Sequence, residues 1–331
     1  MNILIICPRI DAANSASNLF RAINKYTNHK ARLVVGELTY YDPLDIYRNN
    51  FNLQEYITLI EQADIIHFNV FDHNCQLLFP NSFVNWNDYL KKKKFIFHSH
   101  GGFGGHWTDW QKHPKWWLYQ KQLGYSRIFC CSAMETLIYK NAKYMRNIIH
   151  LEDYNIKSRD WSRLKLIQTP SSLRYKNTEQ FKLECEYFRN TVNIPFDFAV
   201  FNGLKHIQIV NIRADWHLLY ENSWCGYHGY AGLEAMAQGL GSLVYQEDLV
   251  EDKLLEATGS SQNPFIRLPF RIKELDVLNP IGSLGLDKSL YAFAYDMNFT
   301  REFCISRREW MEKFWNPKDI VNDYIKEYES L

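Results

Sequence analysis

The stretch WCGYHGYAGLEAMAQG, residues 224–239, sets one carboxylate, Glu234, among glycines and alanines and then runs into the apolar SLVY. Small residues let a ligand approach the backbone, and the N–H groups of a helix start favour an anion such as a phosphate. A glutamate one turn into such a helix can accept hydrogen bonds from a sugar hydroxyl. The chemistry suggested is recognition of a nucleotide sugar, and a helix-capping or merely surface glutamate is the plain alternative. Two further segments bear on it. In QTPSSLRYKNTEQF, Arg174 and Lys176 lie two residues apart ahead of a helix expected to begin near Thr178. Two cations beside a helix start make a diphosphate site, through charge-assisted hydrogen bonds added to oriented N–H groups. A solvated loop with two ordinary basic residues is the other reading. In FIFHSHGGFGGHW, His100 stands at a strand tip and is followed by Gly101 and Gly102. An imidazole there can bind a sugar hydroxyl or a phosphate oxygen, and glycines allow close approach. His67, inside DIIHFNVF, reads as structural.

These groups need a scaffold that brings strand ends together. ILIIC at residues 3–7 is a continuous apolar run, as expected of a fully buried parallel strand. DAANSASNLFRAINKY follows as a loop entering a helix, then ARLVVGE as a strand, LQEYITLIEQA as a helix, and DIIHFNVF, KKFIFHSHGG and RIFCCS as strands. AMETLIYKNA reads as a helix, and RNIIHLEDYNI closes the half with a short strand. The alternation restarts at LKLIQTPSS and continues through FDFAVFNG, WHLLYEN and GSLVYQE. Strands alternating with helices imply doubly wound parallel sheets, whose ligands bind at the carboxyl ends of the strands. The expected class is α/β, with two Rossmann-like domains over residues 1–160 and 161–331 facing across a cleft. The last helices are candidates to pack back on the first domain.

Composition narrows the function. A chain of 331 residues suits two domains. A formal net charge of +1 argues against a dedicated DNA coat, although Lys91–Lys94 form a local basic run. The 7 cysteines form no C-x-x-C pair, which fits reduced thiols in the cytoplasm. No integral membrane segment and no signal peptide are expected. Asp-x-Asp, the phosphate loop G-x-x-x-x-G-K-[ST], G-x-S-x-G and H-E-x-x-H are all missing from the sequence, and no metal site is expected.

The opening strand with its loop, HSHGG, TPSSLRYKNT and GYHGYAGLEAMAQGLGSLVY occur in an order and spacing that resemble GT-B fold glycosyltransferases, specifically retaining glycosyltransferase family 4. The resemblance implies that Glu234 binds the ribose of a nucleotide and that Arg174 and Lys176 bind its diphosphate. It further implies donor contacts from the backbone at Gly229, Tyr230 and Gly232. His100, Gly101 and Gly102 would face the transferred sugar, and Ala12, Ala13, Asn14 and Ser15 would sit near donor and acceptor. No cofactor is implied, a nucleoside-diphosphate sugar being the donor substrate. The acceptor would be a glycan or a lipid-linked sugar, with DNA less favoured. Four positions depart from the family's pattern. Asn177 stands in place of a glycine, Gly241–Ser242 in place of lysine–proline, and Gly226 where many members carry a donor-contacting glutamate. The last departure leaves a non-catalytic nucleotide-sugar-binding protein of the same fold as one alternative, and the basic run Lys91–Lys94 leaves a phage-type DNA-base glycosyltransferase as another.

Overall fold

The computed structural model describes residues 1–37, 45–70, 79–100, 124–137, 139, 141–174, 176–223, 226–269 and 282–331. The chain divides into one unit of residues Met1–Ile148 with Pro317–Leu331 and a second of residues Ile149–Asn316.

In the first unit, β1 (Asn2–Ile10), β2 (Lys30–Glu37), β3 (Ile46–Tyr47), β4 (Ile65–Asn69), β5 (Lys94–Ser99), β6 (Arg127–Cys130) and β7 (Lys143–Tyr144) form a parallel sheet. Its order is β3-β2-β1-β4-β5-β6-β7, so the strand order reverses direction between β1 and β4. The helices are α1 (Ser15–Tyr26), α2 (Leu53–Gln62) and the single turn α3 (Asn87–Leu90). Strand side chains alternate between faces, so Ile66, Phe68 and Phe95 meet Tyr56 and Ile60 of α2 and Trp86 on one side. The same alternation sends His67, His98 and Phe129 to the opposite face, since register pairs His67 with Ile96 and His98 with Phe129. That face receives α10 (Pro317–Glu329), which packs beside α1 and lays Tyr324 and Tyr328 on the histidines. Tyr328 Oη bonds His67 Nδ1 at 2.7 Å, and Arg146 pairs with Asp323 at 2.8 Å.

Two expectations for this unit are corrected. The start of the segment expected to be helical, Ala133–Leu137, is a 3-10 turn rather than an α-helix, with the buried Glu135 tied back to the Ser132 amide and the Ser99 hydroxyl. Residues 146–156 hold no strand, and β7 comes earlier, at Lys143–Tyr144.

The second unit carries the parallel sheet β12-β11-β10-β8-β9, from β8 (Leu164–Gln168), β9 (Phe196–Val200), β10 (Leu218–Asn222), β11 (Gly241–Val244) and β12 (Ile266–Arg267). One face is covered by α4 (Thr178–Thr191) and α8 (Leu286–Tyr295), through Phe181, Phe188 and Leu290. The other face meets α5 (His206–Arg213) and α6 (Tyr230–Ala237), where Ile167 and Leu219 pack on Ala235. The unit also contains α7 (Asp248–Thr258) and α9 (Met297–Phe314). The division falls at 148/149 rather than 160/161 because residues 149–160 are strapped to the second unit. Arg159 donates to the carbonyls of Ala214, Gln238 and Gly239 at 2.9, 2.5 and 2.6 Å, and Tyr154 Oη donates to Glu234 at 3.0 Å. Among the described residues no helix is long and apolar enough to cross a membrane.

Burial makes the His67–Tyr328 bond a sensitive point, since both side chains lie fully in the core. Tyr328→Phe leaves the imidazole without that partner and should cost the first unit about 1–3 kcal/mol, read by chemical denaturation.

Candidate functional site

In the second unit the chain leaves β8 for β9 on one side and then crosses to β10 on the other. The crevice outside the carboxyl ends of β8 and β10 is therefore a switch point, where open α/β sheets bind ligands. Two helices that follow these strands, α4 and α6, start there. Ahead of α4 the chain turns through Asn177 in the left-handed region, at φ 50° and ψ 43°, a conformation asparagine tolerates well. This explains why asparagine can replace a glycine. Its Nδ2 donates to Ser223 Oγ at 2.9 Å, tying the loop to the end of β10, and Gln168 Nε2 donates to the Lys176 carbonyl at 2.7 Å. Arg174 is exposed in this loop, and Lys176 is half-buried with Nζ 4.0 Å from Glu221 Oε1. The sequence placed both cations ahead of the helix start, and the structure brings Lys176 to the end of β10 as well.

Glu221 is the functional candidate that sequence reasoning missed. By alternation it follows Leu219 onto the face covered by α6, and only 2% of it is exposed. Oε1 accepts from the Gly229 amide at 2.6 Å, so a carboxylate of the protein itself occupies the start of α6. The helix-start N–H groups that the sequence reading left open to an anion are, at Gly229, already bound. Burial pushes the Glu221 carboxyl up from its usual range, while Lys176 and the Gly229 and Gly232 amides hold it down only in part. Oε2 lies beside Gly232, whose amide acts on the carboxylate without making a hydrogen bond of normal geometry. Gly229 and Gly232 are glycines for this reason: a Cβ would stand 2.6 Å from Oε1 at Gly229 and 2.3 Å from Oε2 at Gly232. Tyr230, the first residue of α6, is half-buried. The available signal was a charge ending LLYEN, an otherwise apolar strand, because a carboxylate is rarely buried without a partner.

Glu234 differs from its expected role. It is buried, and Oε1 takes hydrogen bonds from Tyr154 Oη at 3.0 Å and His206 Nε2 at 2.8 Å while Oε2 takes one from Arg213 at 2.9 Å. Burial would raise its pKa, but Arg213 and His206 outweigh burial and bring it down to about 2. Both oxygens are thus spent on α5 and the 149–160 strap rather than presented to a ribose. Gly226 has a local reason too. Its φ is +72°, and a Cβ there would stand 2.9 Å from Glu247 Cγ, so the turn itself excludes a glutamate.

The first unit has its own switch point, between β1 and β4, and Ala12–Asn14 form a 3-10 turn there before α1. Ala13 and Asn14 both have positive φ, 52° and 57°. Asp11 closes the start of α1, accepting from the Ala16 and Ser17 amides at 2.8 and 2.9 Å and from Ser17 Oγ at 2.6 Å. Asn69 Nδ2 donates to Ser15 Oγ at 2.8 Å. With its amide nitrogen spent, Asn69 offers Oδ1 to His100, so His100 Nε2 donates at 2.7 Å. Nδ1 is then the acceptor of that ring, and burial lowers the His100 pKa to about 3, which keeps the ring neutral. The structure thus joins His100 to the loop bearing Ser15. The His98 ring lies 4.1 Å from that of His100, tilted by 44°, but it is wholly buried and belongs with His67 to the core. Gly101 and Gly102 lie outside the described residues.

No protein-family profile matches the chain, and no curated protein matches it by sequence. Solved structures match over its whole length. The catalytic domain of starch synthase IV from Arabidopsis thaliana, bound to ADP and acarbose, aligns with a TM-score of 0.64 at 10% identity, over 100% of this chain and 99% of that one. Sucrose-phosphate synthase from Thermosynechococcus elongatus gives 0.63 at 10% identity over the same shares. HepE from Anabaena, in complex with UDP, gives 0.61 at 12% identity over 100% of both chains. The two parallel-sheet units therefore have the GT-B fold, built from two Rossmann-like domains.

The ion pair at Glu234 yields a stability test. Glu234→Gln strands a buried Arg213 and should cost roughly 3–5 kcal/mol, measured by urea unfolding. Because the folded pKa is depressed, the carboxylate stabilises the protein above its ordinary value of 4.5, and this stabilisation is lost as pH falls through about 2. A variant as stable as wild type would show that Glu234 is not held this way.

Proposed function

We propose that the chain is a glycosyltransferase that moves a sugar from a nucleoside-diphosphate sugar to an acceptor with retention of anomeric configuration. One observation carries this reading: Lys176, with Arg174 in the same loop, stands at the β8/β10 switch point where α4 and α6 begin. Cations at such a place stabilise charge as it develops on a leaving diphosphate. Lys176 and Arg174 neutralise the diphosphate, and His100 Nδ1 accepts a hydrogen bond from a hydroxyl of the transferred sugar. The carboxylates at the two switch points are bound internally, Asp11 at α1, Glu221 at α6 and Glu234 at Arg213. Among the described residues none of these three stands ready as a nucleophile, which favours substitution on one face over a covalent intermediate. The donor is a substrate, no resident cofactor is required, and the reaction is read as metal-independent.

The acceptor is a glycan or lipid-linked sugar rather than DNA. The net charge is +1, and in the basic run Lys93 is spent on the carbonyl of Ala63 at 2.9 Å. The buried cysteines Cys7, Cys130, Cys131, Cys185 and Cys304 form no disulfide, which suits the reducing cytoplasm. A second reading, a binding protein without turnover, draws support from the filled start of α6, and donor consumption in the presence of candidate acceptors separates the two.

A thermal-shift screen against UDP-, GDP- and ADP-sugars identifies the donor, since a ligand of the native state raises its melting temperature. With that donor's nucleoside diphosphate, Arg174→Ala with Lys176→Ala should weaken binding by about 1–3 kcal/mol per lost charged bond, without unfolding. Unchanged calorimetric affinity in the double variant would remove the diphosphate role. His100→Ala should lower kcat while nucleoside-diphosphate affinity stays near wild type. Loss of affinity without loss of kcat would assign the imidazole to the nucleotide instead.

A further inference from the structure

A helix start carries roughly half a positive charge and favours an anion. At α6 that anion is internal, for Glu221 Oε1 holds the Gly229 amide at 2.6 Å and faces Lys176 Nζ at 4.0 Å. The carboxylate thus engages an amide and a cation that a diphosphate would use. Its fit is incomplete on the other side. Oε2 lies beside Gly232, whose amide acts on the carboxylate without a hydrogen bond of normal geometry, and the fully buried Ser242 Oγ has no hydrogen bond. Both oxygens crowd the same point beside Gly232, at 2.3 and 2.9 Å from where its Cβ would be. The Ser242 hydroxyl carries its own proton, so it can donate to a charged Glu221 or accept from a neutral one, and the pocket accommodates either state of the carboxyl.

We propose that Glu221 is an internal competitor for the donor diphosphate, and that nucleotide binding at the start of α6 displaces its charge by adding a proton to it. This rests on the reading of the β8/β10 crevice as a diphosphate site. The exchange balances: Glu221 takes one proton from solvent and turns its O–H to Ser242 Oγ, while Lys176 and the Gly229 N–H pass to phosphate oxygens. The charged groups acting on Glu221 are Lys176, from the loop after β8, and Arg213, from α5, which is itself held by Glu234. Burial outweighs both and raises the carboxyl pKa, so proton uptake is easier here than at an exposed glutamate. Affinity should therefore rise as pH falls, because the ligand prefers the protonated form.

The test is calorimetric titration of wild type and Glu221→Gln with inorganic pyrophosphate, and separately with UDP and ADP, from pH 5.5 to 8.5 in two buffers of different ionisation heat. Glutamine keeps an acceptor for Gly229 and removes the charge. The expected result is tighter binding by the variant at high pH, by about tenfold or more for one like charge removed at close range. The two affinities should converge as pH falls, with extra proton uptake by wild type alone, and the ligand's own titration cancels in the comparison. Equal pH profiles and equal proton uptake in both proteins would overturn the proposal. So would a failure of both to bind pyrophosphate or nucleotide at any pH. If the variant does not fold, wild-type proton uptake beyond the ligand's own supports the competitor, and none beyond it overturns it. Pyrophosphate binding that responds to Glu221→Gln, with no gain from UDP or ADP, keeps the competitor and removes the nucleotide. UDP or ADP binding identical in both proteins does the reverse.

Discussion

The first N–H groups of an α-helix have no partner within the helix, and this protein satisfies them at both switch points with a buried carboxylate. Asp11 takes the start of α1 and Glu221 that of α6. Much of the local architecture follows. Glycines at 229 and 232 make room for Glu221, positive φ at Ala13 and Asn14 turns the chain over Asp11, and Ser15 links the capped loop through Asn69 to His100. Burial raises the pKa of both Asp11 and Glu221, so each cap holds its charge less readily than a surface carboxylate does. The places that a Rossmann-like sheet reserves for ligands are here also the places where internal charge is least comfortable.

The elements were legible where one physical signal dominated. ILIIC could only be a strand buried on both faces, and it is. Arg174 and Lys176 were placed before a helix start by the turn chemistry of TPSSLRYKNT, and α4 begins at Thr178. Legibility failed where tertiary partners decide. AMETLIYKNA has helical composition, but the bond from Ser99 to Glu135 tightens it into a 3-10 turn, and Ser99 is distant in sequence. The domain boundary was misplaced because residues 149–160 are held by single side chains, Tyr154 and Arg159, on elements that follow much later.

Glu234 and Glu221 show how a motif draws attention to one carboxylate and away from another. The small-residue helix made Glu234 conspicuous, yet its neighbours Arg213 and His206 come from α5 and leave it a closed ion pair. Glu221, at the end of a plain apolar strand, has one oxygen bound at a helix start and the other beside Gly232 without a hydrogen bond of normal geometry. The glycines beside Glu234 were read as room for a ligand, and their immediate use is room for Glu221. Gly226 follows the same logic, since the turn and the nearby Glu247 require a glycine whatever the ligand.

The return of residues 317–331 to the first unit has a consequence for biosynthesis. β1, β4, β5 and β6 are all made before residue 131, but the aromatic lid over His67 and His98 comes from α10. A nascent chain therefore carries an uncovered sheet face for the whole time the second unit is being translated. At typical synthesis rates of about 5–20 residues per second, that interval is on the order of ten seconds or more. During it the second unit, whose residues 149–316 are contiguous, can fold first, so the half that begins the chain is the half that matures last.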